Sequence, residues 1–123
     1  MKILLILLGG AIGTLTRFGV SGFAHQKFIG TFPVGTLAVN LMGSFLIGFL
    51  WGVAENSTIS PNARLFLFVG ILGGFTTFSA FSLETLSLLR TGDYKFALIN
   101  ILLNNVLGIL LAFAGLMLAK YFR

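Results

Sequence analysis

The chain contains no cysteine. That absence excludes disulfides, thiolate metal sites and cysteine nucleophiles. Charge is also scarce. Only 9% of the 123 residues are Asp, Glu, Lys or Arg, against about 25% in an ordinary soluble domain. Paired carboxylates, a His–acid constellation and a phosphate loop are all missing, so enzyme readings fail on inventory. The Gly73-Gly74 pair sits in an apolar segment, without the strand and loop that a nucleotide motif requires. His25 stands alone in a polar loop and points to no chemistry. The formal net charge is +5, but the basic residues are scattered at segment ends and form no patch. Nucleic acid is therefore excluded as a partner. No repeat relates the two halves of the chain.

Apolar length is what the sequence does have. Hydrophobic residues make up 57% of it, and the mean hydropathy is +1.04. Four stretches, at residues 3–23, 34–54, 63–89 and 96–121, reach the roughly 20 residues needed to cross a bilayer. The connections are short, so residues 1–123 are expected to form a single four-helix transmembrane domain. No separate soluble domain is expected. Nor is a cleavable signal peptide, because the apolar start runs on through Gly9, Gly10 and Gly13 with no small-residue cleavage site.

The third stretch carries Gly73-Gly74-Phe75-Thr76-Thr77-Phe78-Ser79-Ala80-Phe81-Ser82. Glycine weakens a helix, and hydroxyl side chains compete for its backbone bonds. This predicts a third helix broken in mid-membrane. Broken backbone survives there only where protein buries it or a polar cavity solvates it. Discontinuous helices in small membrane proteins mark ion or substrate sites. Phe78 and Phe81 share one face if the helix resumes after the break.

Four spans place both termini on one side, with Lys2, Arg64, Lys120 and Arg123. The other side holds Lys27, Arg90 and Lys95. Orientation normally follows a clear Lys/Arg excess, and here there is almost none. Two readings stay open: insertion both ways, giving an antiparallel dimer, or one orientation set by weak bias. Gly9 and Gly13, Gly48 and Gly52, and Gly70 and Gly74 have the four-residue spacing of close helix packing. That packing serves either a dimer or the monomer.

Several polar residues fall inside the spans. Asn40 can offer amide hydrogens to an anion or bond neighbouring helices, the latter typically worth about 0.6–2 kcal/mol. Asn100 and Asn104 lie one turn apart, with Gly108 continuing the stripe and Asn105 beside it. Such a track of neutral donors suits a small anion and not a proton relay. Arg17, near the end of the first span, either snorkels to the interface or makes a pathway mouth positive. Glu84 is an acid near the membrane and is by default a functional candidate. Its plainer roles are a partner for Arg17 or a helix-end residue in a wet vestibule.

These residues resemble a known family. Gly9-Gly10-x-x-Gly13-x-x-x-Arg17-Phe18, then Pro33-x-Gly35-Thr36-Leu37-x-Val39-Asn40-x-x-Gly43-Ser44-Phe45, then Gly73 through Ser82 followed by Glu84 are similar to the Fluc-type fluoride channels, also called CrcB proteins. The resemblance covers essentially the whole chain. It implies an all-α, dual-topology antiparallel homodimer in a prokaryotic inner membrane, with two pores that export fluoride passively. Asn40, Phe78 and Phe81 would line the pores, with Thr77, Ser79, Asn104 and Gly108 beside them. Arg17 and Glu84 would stand at the vestibule. The backbone carbonyls of Gly73 and Thr76, from both subunits, would hold a structural sodium ion. Ala80 departs from the Thr found in many relatives. Asn100, Asn104 and Gly108 stand on a face where hydroxyls are frequent. The competing function is a small proton-coupled multidrug exporter, which needs a membrane-embedded acid, and Glu84 is the only candidate. A non-transporting assembly subunit would need neither the break nor the polar track.

Overall fold

The computed structural model describes residues 1–122. Arg123, counted in the charge balance above, lies outside the described residues. Among the described residues all regular structure is helical: α1 (Lys2–Lys27), α2 (Val34–Ala54), α3 (residues 61–75), α4 (Phe78–Arg90) and α5 (Tyr94–Tyr121). Four helical segments, Lys2–Lys27, Val34–Ala54, Pro61–Arg90 and Tyr94–Tyr121, are long and apolar enough to span a membrane. The third of these is α3 and α4 together, separated by Thr76 and Thr77 in extended conformation.

Local chemistry sets the ends of the elements. The Ser60 side chain accepts from Ala63 N–H at 3.2 Å, with Pro61 in the first helical position, where its missing N–H costs nothing. Gly92 has φ +79° and makes the tight connection from α4 to α5, a backbone region open to glycine. Asp93 then caps α5.

Packing follows the glycines. A Cβ on Gly9 would fall 2.9 Å from the Cα of Gly70, and one on Gly74 would fall 2.7 Å from the carbonyl oxygen of Gly10. Gly13 abuts the backbone of Ile71 and Phe75. Together these contacts form one seam, between α1 and α3. The other seam joins α2 to α5, where Gly48 meets the backbone of Ala112 and Gly115 that of Phe45. All three glycine pairs noted in the sequence are engaged within the chain, so their spacing is no argument for a dimer. Backbones this close leave no room for a side chain, and dispersion replaces the hydrophobic effect that lipid cannot supply.

Two features differ from the sequence-based expectation. The turns widen to i→i+5 bonding over Leu65–Leu72 in α3 and Leu103–Leu107 in α5. Such widened turns are uncommon and frequently border functional sites. In addition, α1 continues to Lys27. Arg17 is therefore ten residues, about 15 Å of helix, from the C-terminal end.

Candidate functional site

The break is narrower than the glycine-rich run suggested. Gly73 and Gly74 are helical, and only Thr76 (φ −83°, ψ 159°) and Thr77 (φ −150°, ψ 113°) are extended. The cause lies on another helix. In a continuous helix the Thr77 N–H would bond the Gly73 carbonyl. Here it donates to Asn40 Oδ1 at 2.8 Å, while Asn40 Nδ2 donates back to the Thr77 carbonyl at 3.0 Å. A single side-chain amide on α2 thus satisfies both backbone groups of the unwound residue, as a neighbouring strand would. This resolves the backbone accounting that lipid makes compulsory. Thr77 is also the N-cap of α4, its hydroxyl oxygen accepting from Ala80 N–H at 3.2 Å. The positive end of that helix's dipole starts at this point.

Asn40 belongs to a longer network. Its Nδ2 also donates to Asn104 Oδ1 at 2.9 Å. Asn104 Nδ2 donates to the Asn100 carbonyl and to Asn100 Oδ1, each at 2.9 Å. Asn100 Nδ2 donates to Thr85 Oγ1 at 3.0 Å, and the Thr85 hydroxyl donates to the Phe81 carbonyl at 2.8 Å. The helix-bonding role considered for Asn40 is therefore filled. Its two amide hydrogens are both engaged, so serving an anion as well requires an exchange of partners.

Two cavities meet at the break. The first, about 360 Å³, is lined by Asn40, Gly43, Ser44, Gly73, Thr76, Thr77, Phe78, Phe81, Asn104 and Asn105, with Ile47, Phe68 and Leu72. The second, about 770 Å³, is lined by Arg17, Ser21, His25, Thr36, Thr77, Ser79 and Glu84, among others. Thr77 belongs to both walls. Of the expected pore residues, Asn40, Thr77, Phe78, Phe81 and Asn104 come together around the first cavity. Ser79 faces the second, with Arg17 and Glu84. Gly108 is buried beside Ser44 and is not among the lining residues. Asn100, 1% exposed, sits behind Asn104. Asn105 lines the first cavity while turning its amide back to the Ile101 carbonyl at 2.8 Å. Its place could be read only from the helix's rotation, which the sequence does not give.

Phe78 and Phe81 are in contact, ring centroids 5.3 Å apart and tilted by 52°. Their burial differs sharply, at 73% and 7% exposed. The Thr36 hydroxyl donates to Glu84 Oε1 at 2.6 Å, so the partner of Glu84 is Thr36 and not Arg17. Glu84 Oε2 is buried without a hydrogen-bond partner among the described residues. Arg17 reaches toward the break. Its guanidinium donates to the Thr76 carbonyl at a long 3.4 Å. The two carbonyls expected to hold a cation are thus both released from helical duty. Gly73 has lost the Thr77 N–H, and Thr76 is extended. Both are hard oxygen donors of the kind that coordinate alkali and alkaline-earth cations.

Fold and cavities together define a class: a small multi-pass membrane protein with four helical spans, whose polar residues converge on a break within the third span. The chain belongs to the CrcB family, since the family described as "CrcB-like protein, Camphor Resistance (CrcB)" matches residues 4–116. It is 52% identical over 120 residues to the Fluoride-specific ion channel FluC of Parabacteroides distasonis, covering 98% of this chain and 94% of that protein. It is 44% identical over 120 residues to a protein of the same name from Desulforapulum autotrophicum, covering 97% and 96%. A third so named, from Salinibacter ruber, is 48% identical over 115 residues, covering 94% and 86%. The family expected from the sequence motifs is the family found. Its relatives are named as ion channels, in keeping with the missing catalytic inventory.

Proposed function

We propose that this chain is a fluoride-selective passive channel. The carrying observation is the first cavity, where Asn40, the Phe78–Phe81 pair and the start of α4 bring a few polar groups into one largely apolar space at the break. Relatives of nearly full-length coverage that bear the fluoride-channel name support the same reading. Aromatic rings are positive at the edge, so the two phenylalanines can steady an anion without binding it tightly. An amide N–H replaces part of its hydration shell, and the α4 dipole favours negative charge at its start. Several weak contacts in series let a strongly hydrated ion both enter and leave. Arg17 supplies a positive group to the larger cavity, with Glu84 also on its wall. In a prokaryotic inner membrane, a negative interior drives the anion outward by about 2.3 kcal/mol per 100 mV.

The working unit in this reading is an antiparallel dual-topology homodimer with two pores. Support comes from the near-even Lys/Arg balance and from the 73% exposure of Phe78, an aromatic at the site that one chain leaves uncovered. The dimer would also bring two copies of Gly73 and Thr76 together, making four carbonyl oxygens on a two-fold axis. They would hold a structural sodium ion, whose fixed positive charge offsets the converging carbonyl dipoles. Thr76 keeps one lone pair for it beside the long Arg17 contact. The proton-coupled drug exporter finds no support, because its required acid, Glu84, is bonded to Thr36 beside a cavity that Arg17 also lines.

Passive halide efflux from liposomes holding the purified protein tests this function. Fluoride should leave rapidly and chloride remain trapped. Comparable efflux of the two ions, or none of fluoride, would overturn it.

A further inference from the structure

The direction of every hydrogen bond from Thr85 to Asn40 is fixed by backbone groups that have no choice of role. Thr77 N–H can only donate, so Asn40 must present its oxygen there and its NH₂ elsewhere. The Phe81 carbonyl can only accept, so it takes the Thr85 hydroxyl hydrogen. The Thr85 oxygen must then accept from Asn100 Nδ2. That turns Asn100 Oδ1 toward Asn104, whose Nδ2 is held by it and by the Asn100 carbonyl. Both hydrogens of Asn104 are engaged, leaving its Oδ1 aimed at Asn40. Reversing any one amide sets donor against donor or acceptor against acceptor, so the chain of bonds has one polarity.

That polarity has a consequence for an anion in the first cavity. Asn40 and Asn104 both line it, yet neither has an amide hydrogen to spare, and Asn104 contributes a partially negative oxygen. We propose that Asn104 is a surrogate ligand, its side-chain oxygen holding the Asn40 N–H that fluoride takes in transit. This rests on the fluoride-channel reading and adds how the site empties. The ion displaces Asn104 Oδ1 and inherits its bond. Asn104 reclaims the donor when the ion moves on. Asn40 keeps its two bonds to Thr77 throughout, so the break stays intact. The exchange trades acceptor for acceptor, with no donor left bare in the membrane at either end. Competition from a tethered oxygen also keeps binding weak enough for conduction. Asn104 lies in the widened turn Leu103–Leu107, where the helix departs from regular bonding.

Two substitutions provide the test. Asn104→Ala removes the competing oxygen, and Asn104→Ser withdraws it from Asn40 while its short hydroxyl can still donate to the Asn100 carbonyl one turn back. Fluoride current through the full-length protein in planar bilayers would be measured against fluoride concentration. The half-saturating concentration should fall roughly three- to tenfold in both, the worth of one net hydrogen bond. A merely structural role would lower the amplitude of both and leave the half-saturating concentration in place. A rise, or no shift in monodisperse protein, overturns the proposal. Should Asn104→Ala fail to fold, an unshifted Asn104→Ser overturns it alone. A wild type that passes no fluoride defeats the channel reading itself. A conducting wild type with unshifted variants defeats only the surrogate ligand.

Discussion

The two halves of the third span are held in opposite ways. α3 lies against α1 backbone to backbone, with Gly70 and Gly74 set into Gly9, Gly10 and Thr14. α4 adds polar side-chain links to its buried Phe81 and Leu88: Asn40 at its N-cap Thr77, Thr36 at Glu84 and Asn100 at Thr85. The first kind of contact is steric, has many partners and tolerates almost no added volume. The second is directional and depends on a few donors. One half anchors the span and the other presents its residues. The change of regime falls at Thr76 and Thr77, where the cavities meet.

The largest expected effect comes from breaking the anchor. Gly13→Leu would drive a side chain into the Ile71 and Phe75 backbone, which cannot move without separating α1 from α3. A loss of about 3 kcal/mol or more is expected, visible as collapse of the monodisperse peak in detergent. Normal yield and melting temperature would mean that the seam is looser than its geometry.

The presenting half should respond in function before it responds in stability. Phe78→Ile and Phe81→Ile keep apolar bulk but remove the ring's positive edge. Each should cut fluoride efflux about tenfold or more, equivalent to at least 1.4 kcal/mol in the passage. They should part in stability. Phe81 is 7% exposed, and its exchange should cost about 1 kcal/mol, while exposed Phe78 should cost almost nothing. Wild-type efflux in both would remove the aromatic role.

The smallest effect should fall at the junction. The Thr76 hydroxyl bonds back to the Leu72 carbonyl at 3.0 Å, a local bond that barely affects helix stability. Thr76→Ser keeps that bond and the main-chain oxygen, so efflux and melting temperature should change little, by about 0.5 kcal/mol at most. A large loss of efflux would show that the side chain, and not the carbonyl, carries the function of residue 76.

How much of this was legible depends on distance along the chain. The second span matched to the residue, because hydropathy reports it directly. The third was correctly expected to break, but the break does not fall at the glycines. Gly73 and Gly74 stay helical, and Gly74 serves the close helix packing that its spacing from Gly70 suggested. The unwinding belongs to Asn40, 37 residues away in sequence, and no local propensity encodes a partner on another helix. The Asn100–Asn104 stripe was visible from its spacing. Its division into a buried support and a cavity-lining residue was not, since that depends on how α5 is rotated. The widened turns left no signal that periodicity could detect.

The Asn40 clamp also bears on the order of events when the protein is made. Before α2 is alongside, the Thr77 N–H has one good acceptor within its own segment, the Gly73 carbonyl, and lipid enforces that choice. The third span is thus expected to enter the bilayer as an unbroken rod. It gains its break on docking against α2, so that a third span not yet docked holds no open site.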